Sequence, residues 1–217
     1  MRYFLIGLSL VFCLTVSSCA SPQRYDNVSV NIGINVPVYP RLVLVPGYPV
    51  YYDPQIDLNY FFYDGLYWVF VSDNWYASSW YNGPWDIVEH HYVPLYVLHV
   101  PVRYYRQPPA YFRGWHADAA PHWNERWGRD WETRRSGSDQ WGRSSSAPEP
   151  APLPSYQQQY SGDRYPREVE HQHSIRSENY RYQPREAVTQ ERFKQRSKGQ
   201  GQGNDGRRNE DRGRDRR

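Results

Sequence analysis

Between Asn59 and Val71 the chain reads Asn-Tyr-Phe-Phe-Tyr, then Asp64-Gly65, then Leu-Tyr-Trp-Val-Phe-Val. Asp-Gly suits the positive backbone angles of a two-residue hairpin turn, so this stretch predicts two antiparallel strands. The register follows from the turn. If Tyr63 faces Leu66, then Phe61 faces Trp68 on one side of the sheet and Phe62 faces Tyr67 on the other. Both faces of the hairpin therefore carry rings.

Rings are also what the chain has to bury. Aromatic residues make up 17% of it, while all of the hydrophobic types together reach only 39%. Aliphatic side chains are scarce, and 18 Pro with 15 Gly interrupt much of the remainder. This composition predicts one small domain with unstructured flanks. A formal charge of +3 is too balanced to imply a nucleic-acid surface.

Flanking the hairpin, Val28 to Val36 alternates apolar and small or polar residues, the pattern of a strand with one buried face. Leu42 to Val45, the Pro46-Gly47 corner and Tyr48 to Tyr52 predict a second turn, with Pro49 limiting its return segment to an edge or an arm. Trp75 to Tyr81 and Trp85 to His91 predict a second hairpin. Pro84 has no amide with which to close a two-residue turn at Asn82-Gly83, so the loop is expected to be wider. Prolines at 94, 101, 108 and 109 then permit short turns but no long element.

Trp123, Trp127 and Trp131 recur every four residues, predicting an amphipathic helix from about 121 to 134 that docks on the second aromatic face of the sheet. Gly128 weakens it by roughly 1 kcal/mol relative to alanine, so it needs that docking surface. Beyond Ser144 only Leu153, Val169, Ile175, Val188 and Phe193 represent the Leu, Ile, Val and Phe set, too few to offset conformational entropy. The expected organisation is residues 1–18 as a leader, 19–27 as a tether, 28–107 as an aromatic-rich β domain, 108–143 as a Trp-striped helical segment and 144–217 as a disordered tail with solvated tyrosines. The fold class is mainly β (α+β), an antiparallel meander with one packed helix.

The leader has the form of an export signal, with Arg2 followed by a mostly apolar run from Phe4 to Val16. The run is shorter than the roughly 20 residues that a membrane-spanning helix requires. Both cysteines, Cys13 and Cys19, lie in or beside it, so no disulfide framework is expected in the mature chain. Val16-Ser17-Ser18-Cys19 resembles the bacterial lipobox, which implies lipid attachment at Cys19 and anchoring to a membrane. Ala20 after the cysteine resembles lipoproteins sorted to the outer membrane. Ser18-Cys19-Ala20 also fits ordinary cleavage that would release a periplasmic or secreted protein, and an uncleaved anchor is a further alternative.

Two readings of the rings are open. They can stand in for missing aliphatics in a small core, or Tyr67, Trp68, Trp75, Trp80 and Trp85 can form a surface that stacks on sugar rings or meets a partner. His90, His91, His99, His116 and His122 lack the accompanying ligands of a metal site, and adjacent His90 and His91 would point apart in a strand. Neither a metal nor another cofactor is expected. Nucleophile-elbow, zinc-protease and phosphate-loop motifs are not found, so no catalytic residue is nominated. The arginines near the C-terminus are interrupted by acids, which argues against nucleic acid as a partner.

Tyr63-Asp-Gly-Leu-Tyr-Trp68 and Trp75-Tyr-Ala-Ser-Ser-Trp-Tyr-Asn-Gly-Pro-Trp85 resemble the aromatic and glycine hairpin repeats of bacterial envelope proteins of the YXWGXW type, with Pro84 departing from the strict pattern. The resemblance implies an envelope location and a hairpin fold, and no activity. The combined expectation is a non-enzymatic, lipid-anchored envelope protein with a structural or protein-interaction role. A peptidoglycan- or polysaccharide-binding module is the alternative, and an unassigned hydrolase comes after it.

Overall fold

A computed structural model describes residues 33–131, 133 and 147–192. Six strands form one antiparallel meander in sequence order: β1 (Val43–Leu44), β2 (Tyr51–Tyr52), β3 (Asn59–Tyr63), β4 (Leu66–Val71), β5 (Asn74–Ser78) and β6 (Asp86–Val88). Asp64 and Gly65 take φ of +50° and +83°, as the tight turn requires. The register matches expectation, with Tyr63 opposite Leu66, Phe61 opposite Trp68 and Phe62 opposite Tyr67. Ser72 and Asp73, also at positive φ, make the same kind of turn between β4 and β5 and place Val71 opposite Asn74. Between β5 and β6 the chain runs through the wider loop that Pro84 demands, Ser79 to Trp85. Gly83 sits at φ +86° with the Trp85 ring only 2.8 Å from where a Cβ would stand, so the loop admits no side chain there.

Strand alternation sorts the rings onto two faces. Phe61, Trp68, Phe70 and Trp75 lie on the first, together with Val45, Val50, Leu66 and Val88. This face is covered by residues 93–131, which supply Leu95 and Leu98 of α1 (Leu95–Leu98), Val93, Val100, Phe112, Trp123 and Trp131. Tyr60, Phe62, Tyr67, Val69 and Tyr76 lie on the second face.

The tryptophan segment departs from its expected form. Its helix, α2 (Trp123–Trp127), is one turn long, because Gly128 at φ +90° leaves helical geometry. Trp123 and Trp127 still stack as the four-residue spacing predicts, 4.3 Å apart and 4° from parallel. Trp131 returns to the core through a turn closed by its N–H to the Gly128 carbonyl, 3.2 Å. The segment docks on the Phe61 and Trp68 face, not on the face of Phe62 and Tyr67. It shares one core with the sheet across the expected boundary at 107 and 108, where Asn59 both donates to the Gln107 carbonyl (2.7 Å) and accepts from its N–H (2.8 Å).

The second face has its own cover. Residues 33–36 run along it with Ile34 and Val36 buried and Gly33 and Asn35 exposed, as the alternation predicts, but they pair with no strand. They are tied to the β5–β6 loop at Asn82, whose Oδ1 accepts from the Val36 N–H at 2.6 Å and whose Nδ2 donates to Asn35 Oδ1 at 3.5 Å. The rest of the cover is the segment expected to be disordered. Residues 147–192 pack against the sheet through an extended proline-rich stretch, a 3-10 turn (Ser155–Tyr160), α3 (Val169–Asn179) and a helical segment at 187–192. Rings and amides replace the aliphatic area it lacks. The remaining expectations for the leader, the tether and the last residues fall outside the described residues.

Trp123 is buried and its indole N–H donates to the Leu98 carbonyl at 2.8 Å, whereas Trp127 is half-buried. Trp123→Ala should therefore lower the unfolding free energy by about 3–5 kcal/mol, and Trp127→Ala by distinctly less. Chemical denaturation of both variants checks this; equal losses would contradict the packing described.

Candidate functional site

The five rings nominated as a stacking or interaction surface are all interior. Tyr67, Trp68 and Trp80 are 0% exposed, Trp75 2% and Trp85 4%. They form no solvent-facing platform, contrary to expectation, because each ring fills a core or is caged by neighbours. Trp68 and Trp75 belong to the first face and Tyr67 and Trp85 to the second. Trp80 stands in the β5–β6 loop and is met edge-on by three rings of the C-terminal segment: Tyr156 at 5.9 Å, Tyr160 at 5.7 Å and Tyr165 at 5.8 Å. Such T-shaped contacts set the positive edge of one ring against the negative face of another, contributing about 0.5–1.5 kcal/mol each beyond burial. Of the residues nominated for helix docking, Trp123 and Trp131 are buried and Trp127 is half-buried. Cys19 lies outside the described residues.

The site with the most defined chemistry is the junction of the β5–β6 loop, the Asp64 turn and residues 147–192. Gln157, fully buried, accepts at Oε1 from the Tyr67 hydroxyl (3.0 Å) and the Tyr81 N–H (3.3 Å), and donates from Nε2 to the Ser79 carbonyl (3.0 Å). Gln172, also buried, donates to the carbonyls of Gly83 (3.0 Å) and Pro166 (2.7 Å). Its own carbonyl accepts the Trp80 indole N–H at 3.3 Å. The Tyr165 hydroxyl donates to the Gly83 carbonyl as well. An amide offers two donors and two lone pairs, so one glutamine can satisfy both a hydroxyl and several backbone groups at a buried position.

Asp64 makes the third tie. Its carboxylate is buried at the hairpin tip and accepts from the Tyr182 hydroxyl (2.7 Å), the Arg185 N–H (2.9 and 3.1 Å) and the Glu186 N–H (3.0 Å). Residues 187–192 are helical, so Asp64 satisfies amides at a helix start from another part of the chain, the role an N-cap residue plays locally. Beside it the Tyr63 hydroxyl donates to Glu186 Oε1 at 2.7 Å. These carboxylates hold the segment in place.

Other polar groups sit at the surface around α2. Asp73 accepts from the Tyr111 hydroxyl and from Arg126, both at 2.7 Å, and the guanidinium lies over the Tyr111 ring. His122 pairs with Glu125 at 3.0 Å. His90 and His91 are in a 3-10 turn (His90–Tyr92), not in a strand, so their rings do not point apart but lie 3.9 Å from one another, with His90 stacked on Trp127 at 4.6 Å. Among the described residues no three His, Cys, Asp or Glu side chains converge as metal ligands, and no helix is long and apolar enough to cross a membrane.

The aliphatic-poor composition of 144–217 concealed this junction. The one signal in the sequence is that Tyr156, Tyr160, Tyr165, Tyr180 and Tyr182 recur in a segment that otherwise has little to bury, beside Gln157 and Gln172. None of these residues was singled out by motif or periodicity.

Two predictions follow from this chemistry. Burial raises the hydroxyls of Tyr60, Tyr67 and Tyr105 well above the ordinary tyrosine range and pushes Tyr39 and Tyr81 up to about 12. Between about pH 10 and 12 the folded chain therefore holds more protons than the unfolded one, and stability falls as pH rises through that window. The absorbance change of these buried tyrosines should appear in a cooperative step that coincides with unfolding, apart from that of exposed rings such as Tyr92, and gradual titration of all 21 tyrosines in a folded protein would refute it. Asp64→Ala leaves the Arg185 and Glu186 amides without their acceptor and should cost about 1–3 kcal/mol, with faster proteolysis near residue 185. Unchanged stability and cleavage would refute the tie.

No family model, curated protein or solved structure matches this chain, so its functional reading rests on its own residues and geometry.

Proposed function

We propose that this chain is a non-enzymatic interaction protein of a bacterial cell envelope, held at the outer membrane by lipid on Cys19. The observation that carries the interaction role is the distribution of apolar surface. Both sheet faces are filled by the chain's own side chains, while Val43 and Leu44 of the edge strand β1 are 47% and 41% exposed and Ile87 of the edge strand β6 is 57% exposed. An edge strand with apolar side chains open to solvent is suited to pairing or packing with another chain. The Val16-Ser17-Ser18-Cys19 motif supports the anchor.

The glycan-binding reading loses its support from Tyr67, Trp68, Trp75, Trp80 and Trp85, since a ring with no exposed face cannot stack on a sugar. Several acyl chains together hold a protein on a bilayer where one chain binds only marginally. Metabolic labelling with a fatty-acid analogue should mark the wild-type chain and not Cys19→Ser, which should leave the membrane fraction. Equal labelling of the two would end the anchor reading.

A further inference from the structure

The two covers of the sheet are built differently. Residues 93–131 seal the first face with Val93, Leu95, Leu98, Val100, Phe112 and Trp123, a contiguous apolar layer. The strap formed by residues 147–192 brings little aliphatic area, chiefly Ala151, Ile175 and Val188, and is located by Gln157, Gln172 and its contacts to Asp64. Its regular structure consists of 3-10 turns and short helices, with no strand bonded to the sheet. A layer held chiefly by polar ties and ring edges, with little aliphatic burial, opens at lower free energy than the core beneath it. The groups that receive the strap belong entirely to the sheet and its loops: the Tyr67 hydroxyl, the Tyr81 N–H, the carbonyls of Ser79 and Gly83, the Trp80 ring and the Asp64 carboxylate. They would bind the same segment equally well from either chain.

We propose that the second sheet face and the Ser79 to Trp85 loop form a peptide-recognition surface, occupied within the chain by its own strap and open to exchange with residues 147–192 of a second copy. The ligand class is a proline-containing segment that presents Gln from short helical turns to the buried hydroxyl and backbone groups, and Tyr to the Trp80 ring. This deepens the interaction reading above, since copies gathered on one membrane face meet at raised local concentration. A strap tethered in the same chain competes at an effective concentration in the millimolar range, so the surface of the wild-type protein is mostly filled from within. Weakening only the resident strap reveals its affinity for an added one.

The test uses the full mature chain carrying Cys19→Ser and a fluorescent synthetic peptide of residues 147–192. Gln157→Ala with Gln172→Ala in the protein removes both amide ties of the resident strap, while the peptide keeps its own. The double variant should bind the peptide at least tenfold more tightly than wild type, and a peptide that itself carries Gln157→Ala and Gln172→Ala should lose that gain. Near-ultraviolet circular dichroism of the tryptophans reports that the sheet core is intact, and a folded double variant that binds no better than wild type overturns the proposal. Should the double variant not fold, hydrogen exchange on the wild-type chain decides. Strap amides exchanging well ahead of those of β3 to β5 are expected; exchange of both in one cooperative step overturns the proposal. Peptide binding with equal fatty-acid labelling of wild type and Cys19→Ser would remove the anchor and leave this surface standing.

Discussion

A sheet that carries rings on both faces must be covered twice, and the rest of this structure follows from that requirement. The β3–β4 hairpin puts Phe61 and Trp68 on one side and Phe62 and Tyr67 on the other, and all four rings are fully buried. Each large ring removes on the order of 150–250 Å² from water, so leaving either side open would forfeit much of the driving force available to a chain poor in aliphatics. The first cover comes from the residues that follow the meander. Residues 33–36 supply part of the second, and the rest has to come from further along, because residues 93–131 are already committed to the opposite side.

Polar chemistry decides where that second cover sits. Tyrosines and the β5–β6 loop backbone bring hydroxyls, N–H groups and carbonyls into the interior, and each would cost free energy if left without a partner. Gln157 and Gln172 satisfy these groups in pairs, and Asp64 satisfies a helix start. The glutamines and the tyrosines around Trp80 act together: the amides locate the segment, and the edge-on rings supply the burial. Such a network is strong when complete and costly when one member is lost, so the segment is specified by few residues. The same economy in apolar area makes this side the softer of the two, which is the physical basis for an exchangeable strap.

Much of the sheet was legible because its signals are local. Asp64-Gly65 sets the turn, and two-residue periodicity sets the faces, so the pairs Phe61 with Trp68 and Phe62 with Tyr67 follow from the local sequence. Pro84 implied the wide β5–β6 loop for an equally local reason. Trp123 and Trp127 stack as their spacing requires, but Trp131 does not continue the helix, since Gly128 was free to take a left-handed angle and return the ring to the core by a turn. The burial of the candidate surface is hidden from the sequence for a related reason. Periodicity places Tyr67, Trp68 and Trp75 on faces but is silent on what lies over those faces.

The sequence by itself determined the hairpin register, the two-faced distribution of rings, the wide proline loop and the α+β class, because backbone angles and side-chain alternation act between near neighbours. Only the tertiary structure decided that residues 147–192 belong to the domain. Gln157 and Tyr67 are 90 positions apart, and Arg185 meets Asp64 across 121. Contacts of that span leave no periodic trace, and a segment that buries amides and tyrosine rings has the composition of one that buries nothing.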